Sequence, residues 1–198
     1  MRLITLITTG GTIEKTYDEG SGELENRHSV VHRMLRRLRL TDTHINVIEL
    51  MHKDSITLTN EDRRRIAETV HAVGGTVDLA TETAGVVVLH GTDTLDRTGR
   101  WLHKAIWQPR VPIVLTGAMR PYEMTRTDAL QNLTEAIFAT GILTPGIYCV
   151  AHGQVLPFPN VRKDRSRSTF VATEPGELIE SIDSVSETPD ANTTSNAD

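Results

Sequence analysis

Short apolar runs alternate with longer amphipathic segments along the first 150 residues of the chain. Each run is brief, rich in valine and isoleucine, and bounded by polar or turn-forming residues, which is typical of strands buried on both faces of a sheet. The runs predict five strands, over residues 3–8, 45–50, 85–89, 112–115 and 146–151.

The segments between these runs have helical spacing. They predict four helices, over residues 30–38, from 59 or 60 to about 73, over 97–107 and over 128–140. Capping-type residues at Thr59 and Asn60 mark the start of the second helix. Strands that alternate with helices of this length indicate βαβ units. With right-handed crossovers they predict an α/β fold, a doubly wound, mainly parallel sheet with helices on both faces.

Two segments do not follow this alternation. Residues 13–27 are polar, and a connection of this length is usually either a functional lid or disordered. Residues 181–198 contain too little apolar surface to fold by themselves. Because residues 174–198 also carry seven acidic and no basic side chains, we predict one α/β domain over 1–173 and an acidic, disordered tail over 174–198.

Composition and charge exclude several classes of protein. With 38% hydrophobic and 24% charged residues, the chain has the usage of an ordinary globular protein. No apolar run approaches the ~20 residues that cross a bilayer, and no secretory signal precedes the first strand, so we expect a cytoplasmic protein without a membrane partner. The 21 basic and 19 acidic residues of 1–173 nearly cancel, which argues against nucleic acid as a partner. The histidines and the single cysteine lack metal-ligand spacing, so neither a metal nor another cofactor is expected.

Stretches rich in glycine and threonine follow three of the predicted strands. They read TTGGT at 8–12, HGTDT at 90–94 and TGAMRP at 116–121. Since the carboxyl ends of parallel strands meet at one edge of a sheet, we expect these stretches to form one ligand site. The sequence contains no dinucleotide fingerprint, phosphate loop or Gly-x-Ser-x-Gly elbow. Threonine hydroxyls close to the carboxylate of Asp93 therefore favour a threonine nucleophile.

Structural roles for the same residues stay open at this point. A threonine that follows a strand is usually a packing or capping residue, and Asp93 equally suits the N-terminus of the helix at 97–107. His90, directly after the third strand, is interpreted as a hydrogen-bonded histidine at the end of the strand rather than a base.

Taken together, the three stretches resemble the bacterial-type L-asparaginase/glutaminase family. The order and spacing of TGGTI at 9–13, HGTDT at 90–94 and GAMRP at 117–121 carry the resemblance. The stretches Lys53-Asp54-Ser55, Asn132-Leu133 and Val161-Arg162-Lys163 extend it over about residues 3–170. The chain is similar to short, single-domain members that lack the family's C-terminal domain, so the resemblance implies the fold of the asparaginase N-terminal domain.

The resemblance implies two-step amide hydrolysis through an acyl-threonine, with release of ammonia. Thr12 is then the nucleophile, and Tyr17 corresponds to the tyrosine of a mobile lid that assists it. Thr92, Asp93 and Lys163 form a second cluster, in which Lys163 acts on Thr92 and Asp93 orients Lys163. A lysine that is desolvated among hydroxyls and held by a carboxylate suits the role of a base.

The resemblance also implies a set of substrate contacts. Asp93 corresponds to the residue that binds the substrate α-ammonium group, and backbone N–H groups near Gly11, Gly91 and Ala118 suit a carboxylate or oxyanion. Where longer members have a Ser-Gln-Asp stretch, this chain has His52-Lys53-Asp54. Asp54 keeps the carboxylate, and Lys53 is a candidate partner for the substrate α-carboxylate.

The favoured hypothesis is therefore a cytoplasmic L-asparagine amidohydrolase, with a small amino-acid amide as its partner and a homo-oligomeric assembly. Hydrolysis of glutamine or another small amide is the nearest variant. A non-catalytic module that binds a small amino acid is a second hypothesis, and retention of both threonines together with Lys163 disfavours it. A component of an amidotransferase is a third, which the nearly neutral body disfavours.

Overall fold

The computed structural model describes residues 1–75 and 82–174, which form ten strands and four α-helices. The strands are β1 (Arg2–Gly10), β2 (Thr16–Tyr17), β3 (Leu24–Glu25), β4 (Thr43–Lys53), β5 (Val86–Leu89), β6 (Pro112–Thr116), β7 (Gly146–Ala151), β8 (Gln154–Pro157), β9 (Val161–Asp164) and β10 (Thr169–Ala172). The helices are α1 (Val31–Leu35), α2 (Asn60–Val70), α3 (Leu95–Ala105) and α4 (Ala129–Ala139).

Six strands form the central sheet, in the order β4-β1-β5-β6-β7-β8. All neighbours are parallel except β7 and β8, which are antiparallel. The five strands predicted from the apolar runs are the five parallel strands of this sheet. The inner strands β5 and β6 are buried along their whole length, as expected for strands covered on both faces, whereas the edge strand β4 alternates between partly buried and exposed side chains.

Helices cover both faces of the sheet, and the alternation of side chains along β5 shows how. Val86 and Val88 point into one core, which Ile66 of α2 and Leu102 of α3 complete. Val87 and Leu89 point into the other core, built with side chains of α1 and α4 such as Met34 and Leu133. The prediction of a doubly wound α/β fold is thus confirmed.

Several elements differ from the prediction. The first helix is one short segment, Val31–Leu35, rather than 30–38, and residues 13–27 contain a small hairpin, β2–β3, in place of an irregular stretch. Strand β8 and the antiparallel hairpin β9–β10 were not predicted at all. Strands β2 and β3 have two residues each and β8, β9 and β10 have four each, too few for a period-two pattern to be recognisable.

The chain reverses direction across the sheet between β1 and β5. From β1 it runs outward to β4, and then returns to β5 on the opposite side of β1. In an open α/β sheet, ligands bind beyond the carboxyl ends of the strands at such a switch point. The turn after β1 and the loop after β5 therefore line the expected position of a ligand.

The predicted tail falls largely on residues 175–198, which lie outside the described residues, so the predicted domain boundary stays a prediction. Among residues 1–75 and 82–174, no helix has the length and apolar character needed to cross a membrane.

Candidate active site

The turn after β1 carries Thr12 to the edge of the sheet. The register between β1 and β4 shifts between Thr8 and Gly10, so the backbone leaves the ladder there. Gly10 and Gly11 have φ angles of 94° and 82°, a left-handed conformation that a side chain disfavours. The Gly11 N–H donates to the Lys53 carbonyl oxygen at 2.9 Å, and Thr12 then opens a short 3₁₀ turn with its side chain only partly buried.

Glycine backbones bring the three predicted loops into direct contact. A Cβ atom on Gly11 would lie 2.3 Å from the Gly91 Cα, and one on Gly117 would lie 2.2 Å from the His90 carbonyl oxygen. Such distances are far below van der Waals contact, so only glycine permits this approach. The three stretches from 8–12, 90–94 and 116–121 therefore converge at one rim, as expected from the sequence.

Lys163 joins this rim from β9. Its Nζ donates to the Thr92 Oγ1 at 2.7 Å and to the Asp93 Oδ1 at 2.9 Å. The hairpin β9–β10 holds Lys163, and Arg100 of α3 anchors that hairpin through a bond to the Val161 carbonyl oxygen at 2.9 Å. The structure thus brings Thr92, Asp93 and Lys163 together, and their catalytic roles stay predictions.

Asp93 is ionised in this environment. Burial favours its neutral form, but the bond from Lys163 and a second bond from Arg165 at 2.8 Å outweigh burial and hold the pKa of Asp93 below its usual range. Asp93 does not cap α3, whose N-cap residue is Thr94. The capping interpretation left open above is therefore wrong, because both cations bind the Asp93 carboxylate.

Asp54 lies close enough to Asp93 for the two charges to interact. It is the N-cap of the short turn Ser55–Thr57, and the ammonium group of Lys15 binds its Oδ2 at 2.7 Å. Burial and the charge of Asp93 raise the pKa of Asp54, but the hydrogen bonds from Lys15 and from the Ile56 N–H lower it by more. The pKa of Asp54 is therefore below its usual value. The site therefore contains two carboxylates that are both paired with cations.

Lys53 does not join this cluster. Its Nζ donates to the Asp62 Oδ1 at 2.7 Å, and Asp62 also closes the capping box of α2 with Thr59. Burial of Asp62 is more than offset by these bonds, which lower its pKa to about 2. The Lys53 ammonium group is thus directed at α2, and it is the backbone of Lys53 that contacts the turn that carries Thr12.

Tyr17 and Ala118 are both connected to the loop after β6. Tyr17 belongs to the β2–β3 hairpin directly after Thr12, and its side chain is 59% exposed. Its N–H donates to the Glu123 Oε2 at 3.1 Å, which ties the hairpin to the loop after β6. Ala118 is buried in that loop, where Asn132 of α4 binds the Gly117 carbonyl oxygen at 2.8 Å.

Sequence reasoning did not name Arg165, and it gave no role to Ser55 beyond its place in the stretch Lys53-Asp54-Ser55. Ser55 is buried, and its Oγ has no hydrogen-bond partner within the part of the chain that the structure describes. It packs closely against Gly91, since a Cβ atom on Gly91 would lie 2.6 Å from the Ser55 Oγ. Ser55 thus places a buried hydroxyl against the backbone of the loop after β5, next to Asp54. Ser55 follows Asp54, so it resembles an ordinary capping residue, and Arg165 is one of several exposed arginines with no distinguishing pattern.

His90 has the structural role that was expected. It is fully buried, its Nε2 lies 2.9 Å from the Thr98 Oγ1, and its Nδ1 lies 2.8 Å from the Gly91 carbonyl oxygen. Burial lowers its pKa to about 4, so the ring is neutral and serves to fix the loop after β5. Across 1–75 and 82–174, no three His, Cys, Asp or Glu side chains are grouped to hold a metal ion.

Comparison with known proteins decides the family. The family model described as "Asparaginase, N-terminal" matches residues 3–190. The chain belongs to the asparaginase family. The resemblance drawn from the three loops is thereby confirmed.

Relatives of this asparaginase-family chain include proteins with two different names. It is 30% identical to an L-asparaginase of Thermococcus kodakarensis over 166 residues, which are 84% of this chain and 48% of the relative. It is 33% identical to an L-asparaginase of Bacillus licheniformis over 138 residues, which are 68% of this chain and 40% of the relative. It is also 28% identical to a glutamyl-tRNA(Gln) amidotransferase component of Methanobrevibacter smithii over 153 residues, 77% of this chain and 34% of the relative.

Solved structures agree on the fold. The thermostable L-asparaginase from Thermococcus kodakarensis superposes with a TM-score of 0.72 at 26% identity, covering 86% of this chain and 51% of that one. A probable cytoplasmic L-asparaginase from Campylobacter jejuni superposes with a TM-score of 0.66 at 24% identity, covering 87% and 52%. The chain thus spans about half the length of these relatives or less, and its family is one of amidohydrolases.

Proposed function

We propose that the chain hydrolyses the side-chain amide of L-asparagine to give L-aspartate and ammonia. The observation that carries this proposal is the contact of Lys163 with both Thr92 and Asp93, across the switch point from the turn of Thr12. Lys163 supplies an amine, Thr12 and Thr92 supply hydroxyls, and Asp93 supplies a carboxylate. These are the groups that nucleophilic amide hydrolysis requires.

In the proposed first step, the Thr12 Oγ1 attacks the amide carbon. The C–N bond breaks, the hydroxyl proton of Thr12 passes to the leaving nitrogen, and ammonia departs from an acyl-threonine ester. Tyr17, on the hairpin that follows Thr12, is the proposed aid to this step. Backbone N–H groups near Gly11 and Ala118 stabilise the oxyanion that forms at the amide oxygen.

In the second step a water molecule adds to the ester and releases aspartate. Lys163 assists through Thr92, with which it shares a short hydrogen bond, and Asp93 fixes the orientation of the ammonium group or amine. General-base assistance of this kind typically accelerates a reaction by about 10²–10⁴-fold. Asp93 and Asp54 are the carboxylates proposed to face the substrate α-ammonium group.

Ammonia release from purified protein tests the proposal. L-Asparagine is expected to be hydrolysed faster than L-glutamine or simple aliphatic amides, and Thr12→Ala is expected to abolish turnover because it removes the attacking oxygen. Thr134→Ala, on the exposed face of α4, is the matched control and should behave like the wild type. Turnover that survives in Thr12→Ala would reject this nucleophile.

The relatives named as components of a glutamyl-tRNA(Gln) amidotransferase support a second candidate, release of ammonia from glutamine for use by a partner. The same panel of amides separates the two, because a preference for glutamine favours the second candidate. Binding of amino acids without any ammonia release favours the non-catalytic module. The cytoplasmic location, the homo-oligomer and the absence of nucleic-acid and membrane partners stay predictions, and a solution mass tests the assembly.

A further inference from the structure

Glu14 is a buried carboxyl group beside the proposed nucleophile, and no step above uses it. It lies two residues after Thr12 in the same 3₁₀ turn, and only 1% of its surface is exposed. Buried carboxyl groups are rare unless they are paired or bonded, so its position calls for a physical reason.

Its two oxygens brace the turn from opposite directions. Oε2 accepts the Gly10 N–H at 3.1 Å, and Oε1 accepts a short hydrogen bond from the Ser29 hydroxyl. Gly10 to Glu14 thus form a closed five-residue ring with Thr12 at its centre. Ser29 in turn accepts the Val31 N–H at 3.2 Å, which links the ring to the start of α1.

The Gly10 N–H needs this acceptor. Gly10 follows the register shift between β1 and β4 and has a left-handed backbone, so its N–H lies beside the ladder in a buried position. Leaving a buried N–H without an acceptor costs about 1–3 kcal/mol. The Glu14 carboxyl therefore holds the backbone from which Thr12 projects.

The charged surroundings of Glu14 leave its ionisation finely balanced. From β4 the carboxylate of Glu49 faces it, and Glu49 itself lies 3.9 Å from the His32 ring on α1 and 3.8 Å from the His52 ring on β4. Within the described residues no lysine or arginine pairs with Glu14, and the groups on β1 and before α1 are neutral donors at Gly10, Ser29 and Val30. Burial raises the pKa of Glu14 to about 7, against the bonds from these donors.

We infer that Glu14 is a positioning residue for Thr12, whose ionised carboxylate locks the Gly10–Glu14 ring in the reactive geometry. The inference rests on the proposed function, in which Thr12 is the nucleophile, and adds that the ionisation of Glu14 sets the position of Thr12. The ionised group accepts hydrogen bonds from both donors at once. In the protonated group one oxygen carries a proton, which competes with the donor at that oxygen and weakens its hydrogen bond. The ring is therefore looser when Glu14 is protonated. Turnover should then rise with pH through about 7 as Glu14 ionises.

The test is the pH dependence of kcat for asparagine hydrolysis between pH 5 and 9. Glu14→Gln keeps an acceptor for the Gly10 N–H but cannot ionise, so the rise near pH 7 should disappear while KM changes less than about twofold, since Glu14 does not reach the substrate. Ser29→Ala removes a bond that stabilises the ionised form, so the rise should move to higher pH. Glu68→Gln on the exposed face of α2 should leave the profile unchanged.

A second readout separates this inference from the proposed function. The amide resonance of Gly10 in ¹⁵N-labelled protein should titrate near pH 7 in the wild type and not in Glu14→Gln, whether or not any amide is hydrolysed. Superimposable pH profiles for wild type and Glu14→Gln, or a Gly10 resonance indifferent to the substitution, would overturn the inference. An inactive wild type with a titrating Gly10 would overturn the proposed function alone.

Discussion

Lys163 shows how one residue connects distant parts of the chain. Its amine reaches Thr92 and Asp93 over about seventy residues of sequence, with side-chain exposures of only 14% for Lys163 and 23% for Asp93. An amine held this way has a fixed direction and little contact with water, which a proton-transfer group requires. Its removal should therefore affect chemistry rather than folding.

We expect Lys163→Met to lower kcat for asparagine by about 10²–10⁴-fold, the usual range for loss of general-base assistance. The methionine retains most of the apolar volume, so the melting temperature should change little. Lys104→Met, at an exposed position of α3, serves as the control. Steady-state ammonia release measures the effect, and a loss below threefold would contradict the role given to Lys163.

Arg165 is the residue that we propose for the α-carboxylate contact, in place of Lys53. It shares Asp93 with Lys163, while the Lys53 ammonium group is bound to Asp62. The remaining guanidinium N–H groups are exposed beside the crevice and suit the α-carboxylate of a substrate.

Arg165→Gln should therefore raise KM for L-asparagine by about tenfold, or about 1.4 kcal/mol. This is just below the usual range for a charge-assisted hydrogen bond, because solvent screens an exposed guanidinium group. The α-amide derivative of asparagine lacks the carboxylate, and its KM should stay constant. Arg167→Gln, on the same turn between β9 and β10, controls for general loss of positive charge. Equal effects on both substrates would exclude a carboxylate contact at Arg165.

At the scale of elements, the close approach of the turn after β1 and the loop after β5 builds the site. Gly11 and Gly91 touch through their backbones, with no room for a side chain between them. Gly22, in the β2–β3 hairpin, has a φ of 73°, similar to the 82° of Gly11, but it has open space around it. The two positions therefore separate the cost of backbone conformation from the cost of overlap.

We expect Gly22→Ala to lower the free energy of unfolding by about 1–2 kcal/mol, the cost of a left-handed backbone with a Cβ atom. Gly11→Ala should add about 1–3 kcal/mol for the overlap with Gly91 and should abolish hydrolysis by moving Thr12. Urea unfolding and ammonia release measure the two effects. Equal losses of stability would show that the loops separate at little cost.

At the scale of the whole molecule, the raised pKa of Glu14 makes stability depend on pH. The group has a pKa of about 7 when folded and 4.5 as an isolated side chain. The folded state therefore binds a proton that the unfolded state has already lost between these values, and stability falls as pH rises. The contribution is complete below pH 4.5 and gone above about pH 7.

The difference between the folded and unfolded pKa values of Glu14 corresponds to about 3 kcal/mol of unfolding free energy. We expect Glu14→Gln to remove most of this decline between pH 5 and 8, relative to the wild type. Urea unfolding at these two pH values measures it, with Glu68→Gln as the exposed control. A decline of the same size in Glu14→Gln would show that other groups cause it.

Much of the fold was predictable, since each buried strand is an apolar run and each helix a periodic one. The site was partly predictable, because glycine and threonine after a strand signal close backbone approach and Thr92, Asp93 and Lys163 match a family pattern. The partners of charged side chains were not. Lys53 next to Asp54 suggested a substrate contact, and the position of α2 instead supplied Asp62.

The sequence by itself determined the main strands and helices, the class of sheet they form and the edge of the sheet that carries the threonines. These features depend on the periodicity of apolar residues and on turn-forming residues, which lie close together in the sequence. Tertiary structure alone decided that Arg165 shares Asp93, that Lys53 binds Asp62 and that Glu14 closes a ring around Thr12. Hydrogen bonds and ion pairs act over about 3 Å. They therefore depend on how distant segments pack, which no local pattern records.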